Sequence, residues 1–156
     1  MLQASELVRP DVFVASGFGL GFLRPAPGTW GSLGALLVWW WLLAEQPLLL
    51  QLTVIVLYFL LGWWCSVTVS RRYEITDAPQ IVADEVVGMW LALALLPQNV
   101  WWALCAFALF RFVDIAKPGP IGWLDRNIKG GLGVMLDDIL GGAVVGIVLY
   151  LSLLAL

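Results

Sequence analysis

The sequence predicts an all-α fold, an integral membrane helical bundle, and three observations lead there. Of its 156 residues 62% are apolar and 12% charged, against about 45–50% and about 25% in soluble domains. The apolar residues gather into five stretches, 31–46, 47–70, 79–96, 99–116 and 136–156, separated by short polar or Gly/Pro-containing turns. The basic residues fall only in alternate connections between those stretches. A soluble all-helical protein with unusually apolar internal helices is the competing reading.

Taken in order, the second and fifth stretches are long enough to cross a ~30 Å hydrocarbon layer, which needs about 20 helical residues. The other three reach about 16 to 18 residues and span only if their ends enter the interface. The expectation is therefore about four to five transmembrane or half-spanning helices in a single domain, 1–156. Arg9 and Arg24 precede the first stretch, Arg71 and Arg72 follow the second, and Arg111, Lys117, Arg126 and Lys129 surround the turn from the fourth to the fifth. The turns "EQP" and "PQN" carry no basic residue. Lys and Arg accumulate on the cytoplasmic side of membrane proteins, so the basic face is expected inside and the C-terminus outside. Trp39, Trp40, Trp41, Trp101 and Trp102 then fall toward the outer interface, and Trp30, Trp63, Trp64 and Trp123 toward the inner one. The N-terminus lacks the basic start and apolar middle of a cleavable signal, so insertion is expected to rely on the internal segments.

This topology brings three polar stretches to one membrane face. In "GFGLGFLRPAPGTWGS", residues 17–32, Pro27-Gly28-Thr29 reads as a turn delivering Thr29 and Ser32 to a helix start, where free N–H groups favour an anion. A plain N-cap with a loop before it explains the same residues. Neither the third glycine of a dinucleotide fingerprint nor a Gly-Lys-Ser/Thr is present.

In "TDAPQIVADEVVGMW", residues 76–90, Asp77, Pro79 and Gln80 read as a capped helix start, placing Asp84 and Glu85 one to two turns inside, with Gly88 making room a turn below. A solvated acidic helix end is the simpler alternative.

In the third stretch, residues 110–142, Arg111, Asp114 and Lys117 share a helix face that Pro118 ends; a structural ion-pair ladder accounts for that face too. Asp125, Arg126 and Lys129 are read as loop residues, and Gly130, Gly131 and Gly133 precede a helix carrying Asp137 and Asp138 near its start. Gly142-x-x-x-Gly146 predicts close packing with a neighbouring helix.

Six carboxylates, Asp84, Glu85, Asp114, Asp125, Asp137 and Asp138, are thus expected on one face, with Arg24, Arg111 and Lys117 nearby. Partly buried carboxylates repel one another unless a cation lies between them. Oxygen-only ligands and the absence of histidine favour Mg²⁺ over zinc, and Mg²⁺ commonly takes one or two carboxylates together with a substrate phosphate. Basic side chains beside such a site hold phosphate oxygens.

Other chemistries are excluded in turn. A net charge of −3, without a basic cluster interleaved with stacking aromatics, leaves no nucleic-acid footprint. Cys65 and Cys105 lie in apolar runs without metal spacing and read as packing residues. Cys105 and Arg111 match the Cys-x₅-Arg spacing of a cysteine phosphatase loop, but "AFALF" is a helical run whose N–H groups are already bonded. No histidine is available for a phosphohistidine, and no Asp-x-Asp pair is present.

"GFGLGFLRPAPGTWGSLGA", "IVADEVVGMW" and "FRFVDIAKPGPIGWLDRNIKGGLGVMLDDILGG" together resemble the phosphatidylglycerophosphatase A family, in matching order between residues 17 and 142. Gly119, where an aromatic is common, and Gly141, where alanine is, depart from its pattern. The resemblance implies a multi-pass enzyme of the bacterial inner membrane, dependent on Mg²⁺, that removes the terminal phosphate of phosphatidylglycerol phosphate. Its partners are then the bilayer and a phospholipid substrate, with the number of subunits open.

On this reading Asp84, Glu85, Asp137 and Asp138 bind Mg²⁺ directly or through water, and one of them or Asp114 orients the attacking water. Arg111, Lys117 and Arg24 hold the phosphate, with Thr29 and Ser32 as neutral donors. The alternatives are a cation transporter relaying ions along intramembrane carboxylates, a non-catalytic membrane subunit, and a CDP-alcohol transferase. The transporter needs acids along the whole path, whereas the outer half carries only Glu45. The transferase's spaced aspartate signature is not visible.

Overall fold

A computed structural model describes residues 2–75, 78–128 and 131–155, apart from the side chains of residues 125, 131, 132 and 134. Seven α-helices are described: α1 Pro10–Ala15, α2 Pro27–Val38, α3 Leu48–Tyr73, α4 Ala83–Leu93, α5 Val100–Ala116, α6 Pro120–Asn127 and α7 Gly131–Leu154. Short 3₁₀ turns precede α1 and α2, and a π-helical turn, Trp39–Leu43, continues α2. No strand occurs among the described residues.

Local chemistry sets most of these boundaries. Proline, whose missing N–H costs nothing at a helix start, stands first in α1, α2 and α6. Asn99 caps α5, its side-chain oxygen accepting from Trp101 N at 2.9 Å and Trp102 N at 3.4 Å. Glu74 and Lys117 end α3 and α5 in the left-handed conformation. Arg71 and Arg72 lie in the last turn of α3, where the helix dipole favours cations.

Two expectations about elements are corrected. Pro79 and Gln80 do not start a helix. Ile81 N–H closes a turn on Ala78 O at 2.9 Å, and Val82 N–H donates across the fold to Ala15 O at 2.9 Å. A bond made in tertiary structure thus holds 78–82 out of the helix. Asp84 and Glu85 consequently occupy its first turn rather than a deeper one. Asp77 lies outside the described residues. Likewise 120–127, read as loop, is a helix, burying Ile121 on one side and exposing Trp123 on the other.

Helix α4 is the centre of the bundle, surrounded by α2, α3, α5 and α7 and buried along nearly its whole length. It crosses α7 so closely that neither glycine at the contact has room for a Cβ. A Cβ on Gly142 would strike the Gly88 carbonyl, and one on Gly88 would lie 2.6 Å from the Phe110 ring and 2.7 Å from Asp138 O. The expected packing role of Gly142 and Gly146 is met at this crossing. Trp39, expected at an interface, is instead wholly buried, its Nε1–H donating to Gln51 Oε1 at 3.0 Å, a burial its indole N–H permits because it has a partner. Cys65 is packed as expected, whereas Cys105 sits on the exposed side of α5. Two helical segments, Leu48–Tyr73 and Met135–Leu154, are long and apolar enough to cross a membrane.

Candidate active site

Because Gly88 and Gly142 let α4 and α7 touch, residues one turn toward the N-terminus of each helix meet as well. Asp84 and Glu85 stand in the first turn of α4, and Asp138 lies one turn before Gly142 on α7. Carboxylate oxygens of Asp84, Glu85 and Asp138 all come within 4.8 Å of one another. Asp84 and Asp138 are buried, at 7% and 4% exposure, so the cluster is withdrawn from bulk solvent. The positive end of the α4 dipole offsets part of the charge. Glu85 N–H donates to Asp84 Oδ1 at 3.1 Å, which fixes the Asp84 rotamer.

Helix α5 brings the cations. Arg111 Nη1 is 2.5 Å from Asp114 Oδ2 and 3.9 Å from Glu85 Oε1, so the guanidinium bridges the expected α5 face and the α4 acids. Asp114 in turn acts electrostatically on both Glu85 and Asp138. Lys117, which ends the helix, extends Nζ to within 2.7 Å of Asp137 Oδ2. Asp137 Oδ1 also accepts from Asp138 N–H at 3.1 Å. Asp137 is therefore present beside the cluster as expected, with its carboxylate turned to Lys117; the convergent group consists of Asp84, Glu85 and Asp138.

Helix α2 supplies the fourth wall. Ser32, fully buried, donates its hydroxyl to Gly28 O at 2.8 Å and accepts from Arg111 Nη1 at 3.4 Å, so it positions the guanidinium. The backbone at Gly28 presses on the site: a Cβ there would collide with Glu85 Oε1 and lie 3.1 Å from Arg111 Nη1. Sequence reasoning used Gly28 only as a turn residue; the signal available was the small residue between Pro27 and Thr29. Thr29 is half-buried on the same helix, and Arg24 is exposed in the segment before it. The Asp125 side chain, Lys129 and Gly130 lie outside the described residues.

Two buried polar atoms in this centre have no hydrogen-bond partner among the described residues, Glu85 Oε2 and Arg111 Nε. Orphaned donors and acceptors of this kind are costly unless a ligand completes them. An unpartnered carboxylate oxygen on a member of a three-carboxylate cluster fits a hard cation, and an unpartnered guanidinium donor beside it fits an anionic oxygen. The arrangement is chemically suited to holding a phosphate against a divalent ion.

Comparison with known proteins points to a phosphatase family. The family model described as Phosphatidylglycerophosphatase A matches residues 13–153. A Phosphatidylglycerophosphatase A of Haemophilus influenzae is 40% identical over 150 residues, covering 96% of this chain and 92% of the relative. One from Escherichia coli is 38% identical over 146 residues, covering 93% and 84%. A Bacteroides thetaiotaomicron protein, provisionally named a phosphatidylinositol-3-phosphatase, is 38% identical over 137 residues, covering 84% and 86%. No solved structure matches. With a family match running from α1 to the last turns of α7, and with relatives aligned across nearly their whole length, this chain belongs to the phosphatidylglycerophosphatase A family.

Proposed function

We propose that the protein is a Mg²⁺-dependent membrane phosphatase that hydrolyses phosphatidylglycerol phosphate to phosphatidylglycerol and phosphate. The observation that carries the reading is the convergence of Asp84, Glu85 and Asp138 beside Arg111, at the polar end of an otherwise apolar bundle.

The donor set fits Mg²⁺: three carboxylates within reach of one point, all oxygen, one of them with a buried unpartnered Oε2. Asp84, Glu85 and Asp138 would hold the ion, which when bound neutralises phosphate charge and activates water. Arg111 binds a phosphate oxygen through its free edge, kept in place by Ser32 and Asp114. Lys117, a third exposed, adds positive charge at the mouth while Asp137 holds it. Arg24 and the Thr29 hydroxyl complete the phosphate side. Asp114 or a carboxylate of the cluster orients the attacking water and takes its proton. The new P–O bond forms in line with the breaking bond to the lipid glycerol, whose oxygen ends as a hydroxyl.

Helix lengths support a membrane arrangement as part of this reading. Helices α3 and α7 span. Helix α4, at ~1.5 Å per residue, is about 16 Å long and reaches half of a ~30 Å core. With α2 and its π-helical turn, and α5, this makes four to five spanning or half-spanning elements of an inner-membrane protein, the basic, carboxylate-bearing face toward the cytoplasm. A substrate keeps its acyl chains in the bilayer there while its head group reaches the ion.

Purified protein is expected to release phosphate from phosphatidylglycerol phosphate with Mg²⁺ and to stop on chelation. Activity indifferent to chelator removes the ion from the reading, and no release under any condition removes the substrate. Because one relative is named for a phosphoinositide, phosphatidylinositol 3-phosphate is the informative second substrate.

A further inference from the structure

Away from the carboxylate cluster, a cleft of about 350 Å³ lies between α1 and α3. This is within the size range of ligand pockets. Its lining changes character along α3. At the C-terminal end stand Arg9, Asp11 and Arg72, and toward the middle stand Leu61 and Trp64, with Val14 contributed by α1. The rise from Leu61 to Arg72 covers ~16 Å of helix, about one leaflet of a ~30 Å core.

The cleft faces outward. Residues 61, 64, 68 and 72 form one stripe of α3, whereas Ile55, Tyr58, Gly62, Ser66 and Val69 pack into the bundle. At 100° per residue the two stripes lie roughly a third of a turn apart. Trp64 is 62% exposed.

The polar end is built rather than incidental. The Asp11 carboxylate is nine-tenths buried; Arg72 Nη1 donates to its Oδ2, and Arg9 Nε stands 3.5 Å from its Oδ1. The two arginine side chains are themselves 36% and 45% exposed. One buried carboxylate is therefore hydrogen-bonded to Arg72 and at ion-pair distance from Arg9, and each guanidinium carries five N–H donors. Among the residues that line the cleft, two cations stand against one carboxylate.

We propose that this cleft binds an anionic membrane phospholipid, distinct from the molecule being hydrolysed, with its phosphodiester on Arg9 and Arg72 and one acyl chain along Leu61 and Trp64. The proposal rests on the membrane reading above. Charge complementarity selects the head group and the length of the apolar wall selects a chain of one leaflet.

Native mass spectrometry of the full chain released from detergent, with phosphatidylglycerol and phosphatidylcholine in competition, tests it. Wild-type protein is expected to retain phosphatidylglycerol preferentially. Arg9→Gln, which leaves the Arg72–Asp11 pair intact, should weaken that retention roughly tenfold. Leu61→Trp, filling the apolar end without touching charge, should weaken it as well. Phosphate release should persist in both variants, since neither residue touches the carboxylate cluster. Equal retention of the two lipids by wild-type protein, or unchanged retention in either variant, overturns the proposal; phosphatidylglycerol held at the carboxylate cluster instead gives that second result. Recovery of the chain in aqueous buffer without detergent sinks the membrane reading itself, and so separates its failure from that of the cleft alone.

Discussion

Gly88→Ala tests whether the helix crossing builds the carboxylate site. In an ordinary helix the exchange favours folding by about 0.5–1 kcal/mol, since glycine has more backbone freedom to lose. Here the added methyl would stand 2.6 Å from the Phe110 ring and 2.7 Å from Asp138 O. Carbon–oxygen contacts settle at about 3.3–3.6 Å, so α4 and α7 must part by roughly 0.6–0.9 Å. Overpacking of this kind costs about 1–3 kcal/mol, which outweighs the propensity gain. The separation acts on Asp138, whose own carbonyl is the atom struck, and so pulls it from Asp84 and Glu85. A misplacement near 1 Å costs up to about 10²-fold in rate. The variant should fold, release phosphate about 10- to 100-fold more slowly, and need more Mg²⁺ for half-maximal rate. Gly141→Ala on the same helix is the control, because its methyl meets side-chain ends and no backbone, Val113 at 3.2 Å and Ile121 at 3.9 Å. Wild-type rate and Mg²⁺ dependence in Gly88→Ala refute the idea that this crossing sets the site.

Further expectations bear on single residues. Asp138→Asn should all but abolish phosphate release while the protein still inserts into membranes; turnover unchanged in that variant takes the residue out of the mechanism. Lys117→Met removes the 2.7 Å ion pair to the buried Asp137 carboxylate and should lower stability by about 2 kcal/mol in thermal unfolding, with Asp137→Asn added to it restoring part of the loss. At Asp11 burial pushes the carboxyl up, but the Arg72 hydrogen bond and charge outweigh it and hold the group below its ordinary value. Its stabilising contribution is then complete above the unfolded-state value of about 3.9 and is lost as pH falls through the lower folded value. The gap in melting temperature between wild type and Asp11→Asn should close below about pH 4; a gap that persists there contradicts the pairing.

Much of the helical plan is legible in the chain because it depends on local rules. Apolar runs bounded by proline and glycine mark α2, α3, α5 and α7, and Pro118 and the left-handed Lys117 end α5 where the pattern says. The start of α4 was not legible, because Val82 gives its N–H to Ala15, a partner 67 positions away in sequence. Helix α6 was hidden by its polarity: a short segment with charged residues reads as loop until Ile121 is seen to pack.

By itself the sequence determined the material of the site: which carboxylates and cations lie near helix ends, and that small residues at 88, 142 and 146 permit a close crossing. It did not determine which groups face one another. A side chain's direction turns by about 100° for each residue along a helix, so adjacent Asp137 and Asp138 look different ways. Tertiary structure decided that Asp138 joins Asp84 and Glu85 while Asp137 meets Lys117. That choice depends on where α4 and α7 cross and how each is rotated, quantities set by packing among four helices and written in no single segment.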